Sequence, residues 1–390
     1  MKSLHVYPSP IVNESRMQRL ADCLIESGLA SQVVLLGLRK GELPALEATR
    51  TAGVSIERAG SVKARASRWP WVKLYRIASL YLALLRAALR ARADVVHVHS
   101  LAMLPLGCIV KLLKGCRLVY DTHELETETA ALARKPWLRP VMRAIERLCI
   151  SYADAVVVVN ESIASWYRER YGLDQVTSVM NLPELRKPVP RDGRLRAALG
   201  ISAERRIFVY AGLLSHGRGI EVCLEAFEGL QDRDVDLVFM GYGELQAMVE
   251  AHANRHGRIH FLPAVPPDQV LSYLADADFG LCVIEPISLS YHFAAPNKLF
   301  EYLTAGLPVL CSAGPEMKAI VEQHRIGEAV ERIDTASVGA AMQRLLRAPR
   351  EQYSQGLEQA AGRYRWDAEK LKYQQAMSGL YEAGRKGWAT

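Results

Sequence analysis

Three stretches in the second half of this 390-residue chain combine glycines, cations and carboxylates in a way that suits a phosphorylated ligand. The first is Tyr210-Ala211-Gly212-Leu213-Leu214-Ser215-His216-Gly217-Arg218-Gly219, a strand that breaks into a glycine-rich turn before a helix over 221–230. Glycines let backbone N–H groups approach a phosphate, and Arg218 adds a fixed charge with forked donors. A tight strand-to-helix turn with an exposed arginine accounts for the same residues. The second, Met240-Gly241-Tyr242-Gly243-Glu244, fits the close approach of a nucleotide but reads more simply as a turn. The third is more specific: Ala295-Pro296-Asn297-Lys298-Leu299-Phe300-Glu301-Tyr302, followed by Ala305-Gly306-Leu307-Pro308-Val309. Pro296 suits the first turn of a helix. Asn297 and Lys298 then stand at its positive end, where free N–H groups, dipole and ammonium would stabilise a diphosphate together. Glu301, one turn on, is placed to accept hydrogen bonds from ribose hydroxyls. The plain alternative is an amphipathic helix with Leu299, Phe300 and Leu303 in the core.

The first half carries a different set. His97 and His99 alternate on one strand and so face one side. Tyr120-Asp121-Thr122-His123-Glu124 ends the next strand, and histidines with carboxylates gathered there admit a metal reading. The ligand spacing is not dense, and no metal is expected. Strand-end packing and helix capping explain Asp121 and Glu124 equally well. Near the N-terminus, Asn13-Glu14-Ser15-Arg16 lies between a strand and a helix running to about Ser27. Arg16 there is either a contact for a phosphate or acidic acceptor, or a solvated helix-start arginine.

The elements that must position these residues form one repeated pattern. Short apolar runs (Leu4–Tyr7, Val33–Leu38, Val95–Val98, Leu118–Tyr120, Ala155–Val159) alternate with longer helical stretches, pause, and resume at Ile207–Tyr210, Leu237–Met240, Ile259–Phe261, Phe279–Val283 and Val309–Cys311. Continuous apolar runs separated by helices indicate parallel strands covered on both faces, hence doubly wound α/β units. The pause around 181–206 holds Pro183, Pro188, Pro190, Asp192 and Gly193 and is taken as the linker. Domains are expected at 1–185 and 200–365, with a helix over 366–390 able to pack on either. Ligands of such folds sit at the carboxyl ends of the strands, where all the residues singled out above lie.

Composition agrees with a packed globular protein: 50% of residues are hydrophobic and 23% charged. The net charge of +7 is uneven. Residues 1–190 hold 27 Lys/Arg against 17 Asp/Glu, and the remainder 22 against 25. The basic half should therefore meet something anionic. Two of its stretches interleave cations with aromatics. Residues 62–92 include Lys63, Arg65, Arg68, Trp69, Trp71, Lys73, Tyr75, Arg76, Tyr81, Arg86, Arg90 and Arg92, and residues 134–147 include Arg134, Lys135, Trp137, Arg139 and Arg147. This composition suits an anionic membrane surface as partner, with a soluble helix bearing a charged outer face as the alternative. No uncharged apolar run is long enough to span a bilayer. The seven cysteines are scattered without a CxxC, and the chain enters a strand almost at once, so reduced thiols and a cytoplasmic location, peripheral on the inner face of the plasma membrane, are expected.

Taken together, the strand-turn-helix at 210–219, the Gly-x-Gly turn at 241–243 and above all Pro296–Val309 resemble the retaining family-4 glycosyltransferases of the GT-B fold. The resemblance covers nearly the whole chain. It implies two Rossmann-like domains facing across a cleft, with a nucleotide-sugar donor on the second. Arg218 and Lys298 would hold the pyrophosphate beside Gly212, Gly241 and Gly243, Asn297 would position it, and Glu301 would bind ribose. His123 would contact the donor sugar or reacting groups, with Asp121 or Glu124 orienting it or binding the acceptor; Arg16 and His99 are further acceptor or phosphate contacts. The Asn13–Arg16 loop is similar to one branch of that family. Two departures stand out: Phe293 replaces the first glutamate of the usual Glu-x7-Glu pair, with His292 or Glu285 as substitutes, and Leu213 replaces an arginine.

The expected activity is sugar transfer from a nucleotide diphosphate, a UDP or GDP sugar, to an acceptor hydroxyl on a lipid-linked or envelope glycan. Retention is implied by the resemblance, and no resident cofactor is expected. The alternatives are a nucleotide-sugar epimerase and a non-catalytic membrane-associated scaffold, the latter favoured by Phe293. Nucleic acid is not expected as a partner, because no recognition motif accompanies the basic half.

Overall fold

The computed structural model of the chain describes residues 1–12, 14–62, 69–184 and 189–386. It divides into two compact units: unit 1 is Met1–Met180 together with the chain from Glu369 onward, and unit 2 is Asn181–Ala368. Asn13, Lys63, Arg65, Arg68 and Pro188, all named above, lie outside the described residues.

Among the described residues, unit 1 has one sheet made of β1 (Lys2–Val6), β2 (Gln32–Lys40), β3 (Leu46–Ala48), β4 (Val54–Val62), β5 (Val95–Val98), β6 (Arg117–Asp121), β7 (Ala155–Val158) and β8 (Val176–Ser178). Their order is β3-β4-β2-β1-β5-β6-β7-β8, and only the β3–β4 pair is antiparallel. The central strands β1 and β5 are buried on both faces, as their apolar runs require. Between the strands run α1 (Ser15–Glu26), α2 (Pro70–Arg90), α3 (Leu104–Lys114), α4 (Ala130–Ala133), α5 (Arg139–Ile150) and α6 (Glu161–Tyr171). Asn160 starts α6 by accepting the Ile163 N–H on its side-chain oxygen at 2.9 Å, a cap worth about 1 kcal/mol. A buried carboxylate ties this half together: Glu146 on α5 accepts the hydroxyls of Tyr120, Tyr167 and Tyr171 at 3.0, 2.6 and 2.6 Å.

Unit 2 repeats the scheme with β9 (Arg206–Leu213), β10 (Val235–Tyr242), β11 (Ile259–Pro263), β12 (Phe279–Cys282), β13 (Val309–Ser312) and β14 (Gly327–Val330), in the all-parallel order β11-β10-β9-β12-β13-β14. Its helices are α7 (Arg194–Leu199), α8 (Ile220–Glu228), α9 (Gln246–Arg255), α10 (Val270–Leu274), α11 (Leu289–His292), α12 (Asn297–Thr304), α13 (Pro315–His324), α14 (Thr335–Arg347) and α15 (Glu351–Arg363). In both sheets the strand order reverses beside the first strand of the unit, between β1 and β5 and between β9 and β12. The carboxyl ends there are the expected ligand positions.

The stretch taken as a linker contains α7, whose start is held because Asp276 accepts the N–H groups of Gly193 and Leu195 at 2.9 and 2.8 Å. The last helix, α16 (Trp366–Lys386), belongs from Glu369 onward to unit 1. There it buries Tyr373, Met377 and Tyr381, Glu369 accepts the Met180 N–H at 2.8 Å, and the Tyr381 hydroxyl donates to Ser3 Oγ at 2.9 Å. All seven cysteines are free thiols.

Candidate functional site

In unit 2 the turn after β9 and the start of α12 meet. Pro296 is the cap of α12, one position earlier than the sequence suggested, and Asn297 is the first helical residue. Asn297 is exposed, and its side-chain oxygen accepts from Asn181 Nδ2 at 2.9 Å. Lys298 turns inward and is only 8% exposed. Its ammonium lies 3.3 Å from the centre of the Tyr210 ring, beside Gly212, and makes no hydrogen bond among the described residues. Burial, with Arg218 adding to it and Cys282 and Glu301 opposing, draws its pKa down from 10.5 to about 7. An unpaired buried ammonium is costly and normally demands an anion. Arg218 stands over the Tyr291 ring, its guanidinium carbon 5.0 Å from the centroid, and its Nε is also buried without a partner. Glu301, half-buried one turn along α12, completes the group.

The glycines divide. Gly212 takes φ +128°, and a side chain there would meet the Lys298 ammonium at ordinary contact distance, so this turn keeps the lysine open to a ligand. Gly241 is required by its neighbour instead: a Cβ would fall 1.9 Å from the Gly212 carbonyl oxygen. Gly243 likewise lies against the Leu214 backbone. Close packing of two strand ends thus explains Gly241 and Gly243 without a nucleotide. Phe293 is the C-cap of α11 and its ring neighbours the exposed His292, whereas the Glu285 N–H donates to the Gly217 carbonyl at 3.0 Å, in the turn that follows β9.

In unit 1 the residues at the ends of β1, β5 and β6 form a buried polar line. Arg16 binds Asp121 through Nη2 at 2.7 Å and Nε at 3.2 Å, and donates Nη1 to the Val179 carbonyl at 2.7 Å. It is buried and anchors Asp121, so the reading of Arg16 as a solvated helix-start arginine is corrected. Burial alone would raise the Asp121 pKa, but Arg16, then His99 and His123, hold it well below the usual carboxylate range. Asp121 Oδ2 accepts from His99 Nδ1 at 3.1 Å, and His99 Nδ1 is 3.3 Å from His123 Nε2. His99 is fully buried, and its Nε2 pairs with His5 Nδ1 at 2.8 Å. His5 stacks on His97 at 4.1 Å, and His97 Nε2 meets the Tyr381 hydroxyl at 3.0 Å. Only His123 reaches the surface, with 24% of its side chain exposed. Burial and the nearby Arg16 and His99 bring it down to about 3 against the pull of Asp121, so its ring is neutral at ordinary pH.

His99, Asp121 and His123 bring three donor atoms within 4.8 Å of one another, a set that could hold a cation. Arg16 already supplies positive charge to that carboxylate, which disfavours one there.

Around His123 the structure adds residues the sequence did not single out. Tyr7, at the end of β1, places its ring 5.5 Å from that of His123. Its hydroxyl is pushed up to about 12 by burial and by Glu14, Glu126 and Glu124. Glu126 is pushed up to about 8 by burial, Glu124 and Glu146, so its carboxyl keeps a proton at neutral pH. Its position two residues past the exposed Glu124, in the same strand-end loop, was the only signal available.

A separate face of unit 1 is apolar and basic. Trp69, Trp71, Leu74, Tyr75 and Ile77 at the start of α2 are exposed, as are Leu112 and Leu113 on α3, and Val141 and Leu148 on α5 with Trp137 just before it. Helix α3 packs against both α2 and α5. Lys73, Arg86, Arg90, Lys114, Arg134, Lys135 and Arg147 are exposed on or beside these helices. No helix among the described residues is long and apolar enough to cross a membrane.

Comparison with known proteins matches each unit separately. Residues 14–181 match the family described as glycosyl transferase 4-like domain, and residues 205–348 the family described as glycosyl transferases group 1. A glycosyltransferase of Bacillus subtilis (strain 168) named for teichuronic acid biosynthesis, TuaC, is 29% identical over 236 residues, 60% of this chain and 56% of that protein; the chain thus spans little more than half that relative's length. The phosphatidyl-myo-inositol mannosyltransferase of Mycobacterium leprae (strain TN) is 23% identical over 298 residues, 70% of each chain. Among solved structures, HepE of Anabaena in complex with UDP and glucose superposes with a TM-score of 0.71 at 15% identity, over 97% of this chain and 100% of that one.

Proposed function

We propose that the chain is a glycosyltransferase of the GT-B fold, as the matches of its first unit to a glycosyl transferase 4-like domain and of its second to glycosyl transferases group 1 support, and that it transfers a sugar from a nucleoside diphosphate to an acceptor hydroxyl. The observation that carries this reading is Lys298: a desolvated ammonium without a hydrogen bond among the described residues, next to Gly212, with Arg218 Nε also unpartnered there. A diphosphate entering there would give both cations the acceptors they lack and stabilise the nucleoside diphosphate as it departs. The bond from the anomeric carbon to phosphate oxygen breaks, the bond to the acceptor oxygen forms, and the acceptor proton is released. Retention and independence of metal are part of the proposal, as is a UDP or GDP sugar as donor; HepE, solved with UDP and glucose, supports the first. Glu301 binds the ribose. His123 and Glu124 serve the acceptor side, with Asp121 behind His123.

The acceptor in this reading is a lipid-linked or envelope glycan, met at the inner face of an anionic membrane through residues 62–92 and 134–147. The exposed aromatic and basic side chains of α2 and α5 support it, and so do the names of the two curated relatives.

The test is thermal stabilisation by UDP, GDP and several nucleotide sugars in EDTA, for wild type, Lys298→Ala and Glu301→Ala. One base should stabilise the wild type selectively. Lys298→Ala should weaken that binding by about 10–100-fold, the worth of charge-assisted hydrogen bonds. Turnover of the donor without acceptor would favour an epimerase. Absence of stabilisation by every nucleotide would favour the scaffold reading, with Phe293 as the mark of a lost site.

A further inference from the structure

The nitrogen that His123 offers to a ligand follows from its buried neighbours. Asp121 is an anion, held so by the bidentate Arg16, and an anion can only accept hydrogen bonds. His99 Nδ1, 3.1 Å from Asp121 Oδ2, must therefore carry a proton, since a bare nitrogen would face the carboxylate lone pair to lone pair. The same Nδ1–H faces His123 Nε2 at 3.3 Å, which places a lone pair on Nε2. The alternative acceptor for a proton on Nε2, Asp121 Oδ2, is 4.0 Å away and out of hydrogen-bond reach. A neutral imidazole has one proton, so it sits on Nδ1. His5 backs the arrangement: its Nδ1 meets His99 Nε2 at 2.8 Å, and its ring, stacked at 4.1 Å on His97, keeps the His99 plane from turning.

We propose that Arg16, Asp121 and His99 form a positioning line that fixes His123 with its proton on Nδ1, so that the nitrogen left for a ligand is a hydrogen-bond donor and not a base. This rests on the reading of His123 as a residue at the reacting groups, and it decides what His123 does there. It donates a hydrogen bond to an oxygen of the ligand bound beside it, and it does not take that ligand's proton. The neutrality of the ring, from its burial, agrees with this.

The deciding measurement is the long-range 1H–15N correlation spectrum of the full-length chain labelled with 15N-histidine, at pH 7.5 and without substrate, with His123 assigned by its loss in His123→Gln. A protonated Nδ1 and a bare Nε2 on His123 are expected. Protonation of Nε2, or equal averaging of the two nitrogens, would overturn the proposal. So would stoichiometric uptake of Zn2+ with loss of the His99 Nδ1 proton, because ligation needs that nitrogen bare. In Asp121→Asn the amide can donate to His99, and the His123 proton should move to Nε2; the wild-type spectrum decides the matter even where that variant fails to fold. In turnover, His123→Gln, which keeps a donor but no base, should retain about tenfold more kcat than His123→Ala with similar donor KM. Equal loss in both would overturn the donor role. A chain with the expected tautomer but no transferase activity would refute the proposed function and leave the positioning line standing.

Discussion

At Lys298 a buried cation is kept ready at the cost of its own solvation. The groups facing it are Tyr210 below, Arg218 from the turn after β9, Glu301 from its own helix, and the thiols Cys282 and Cys223. With its pKa near 7 instead of 10.5, the unfolded chain binds one more proton than the native one between those values. On this group's account stability rises with pH across that window, and the burial cost is full below pH 7. A bound diphosphate reverses the balance, because it restores the charged form. UDP or GDP binding at pH 8 should therefore take up close to one proton, and at pH 5.5 almost none. Calorimetry in two buffers of different ionisation enthalpy reads this directly. Proton uptake that persists in Lys298→Met would assign it to another group.

At the scale of the elements, α2, α3 and α5 present a surface that no neighbouring element covers among the described residues. Trp71 is 63% exposed and Leu112 67%. Such side chains lose little by leaving the fold's own core and gain by entering an interface, while the lysines and arginines beside them meet anionic head groups at about 1 kcal/mol each. The double variant Trp71→Asp/Leu112→Asp should fold normally and bind vesicles of anionic lipid about tenfold more weakly, with wild-type binding falling as salt rises. Wild-type chains that ignore such vesicles at low salt would remove the membrane from the account. Leu112 and Leu113 were not legible beforehand, because α3 reads as an ordinary apolar helix and only its packing shows which face stays bare. The buried strands β1, β5, β6, β9, β10, β12 and β13 were legible from their continuous apolar runs. The strands β3, β4, β8 and β14 were not: Val54–Val62 mixes Glu57 and Arg58 with small residues at the sheet's periphery, and β8 and β14 have three and four residues. The site divides in the same way. Lys298 and Glu301 stand in a motif whose spacing points at a ligand, and His123 is named only through the family resemblance. Whether Arg16 and His99 face solvent or the interior depends on a partner 105 residues away for the first and on burial for the second, and neither leaves a local trace.

For the molecule as a whole, the two units are unequal in how the chain builds them. Unit 2 is continuous from Asn181 to Ala368, whereas unit 1 is finished by α16. Residues 181–368 alone should fold cooperatively and bind the nucleotide with near wild-type affinity. Residues 1–180 alone should be destabilised by roughly 5 kcal/mol through the loss of Tyr373, Met377 and Tyr381. A fragment 1–180 that melts like the full chain would contradict this. Tyr381 and Tyr373 also touch His97 from α16, which links that helix to the histidines behind His123. During synthesis the sheet carrying that line must then wait, its flank open, until the segment after Ala368 has left the ribosome, while the later-encoded unit is already complete. A chain cut short before α16 would carry a finished unit 2 and an unsealed unit 1, the latter prone to proteolysis.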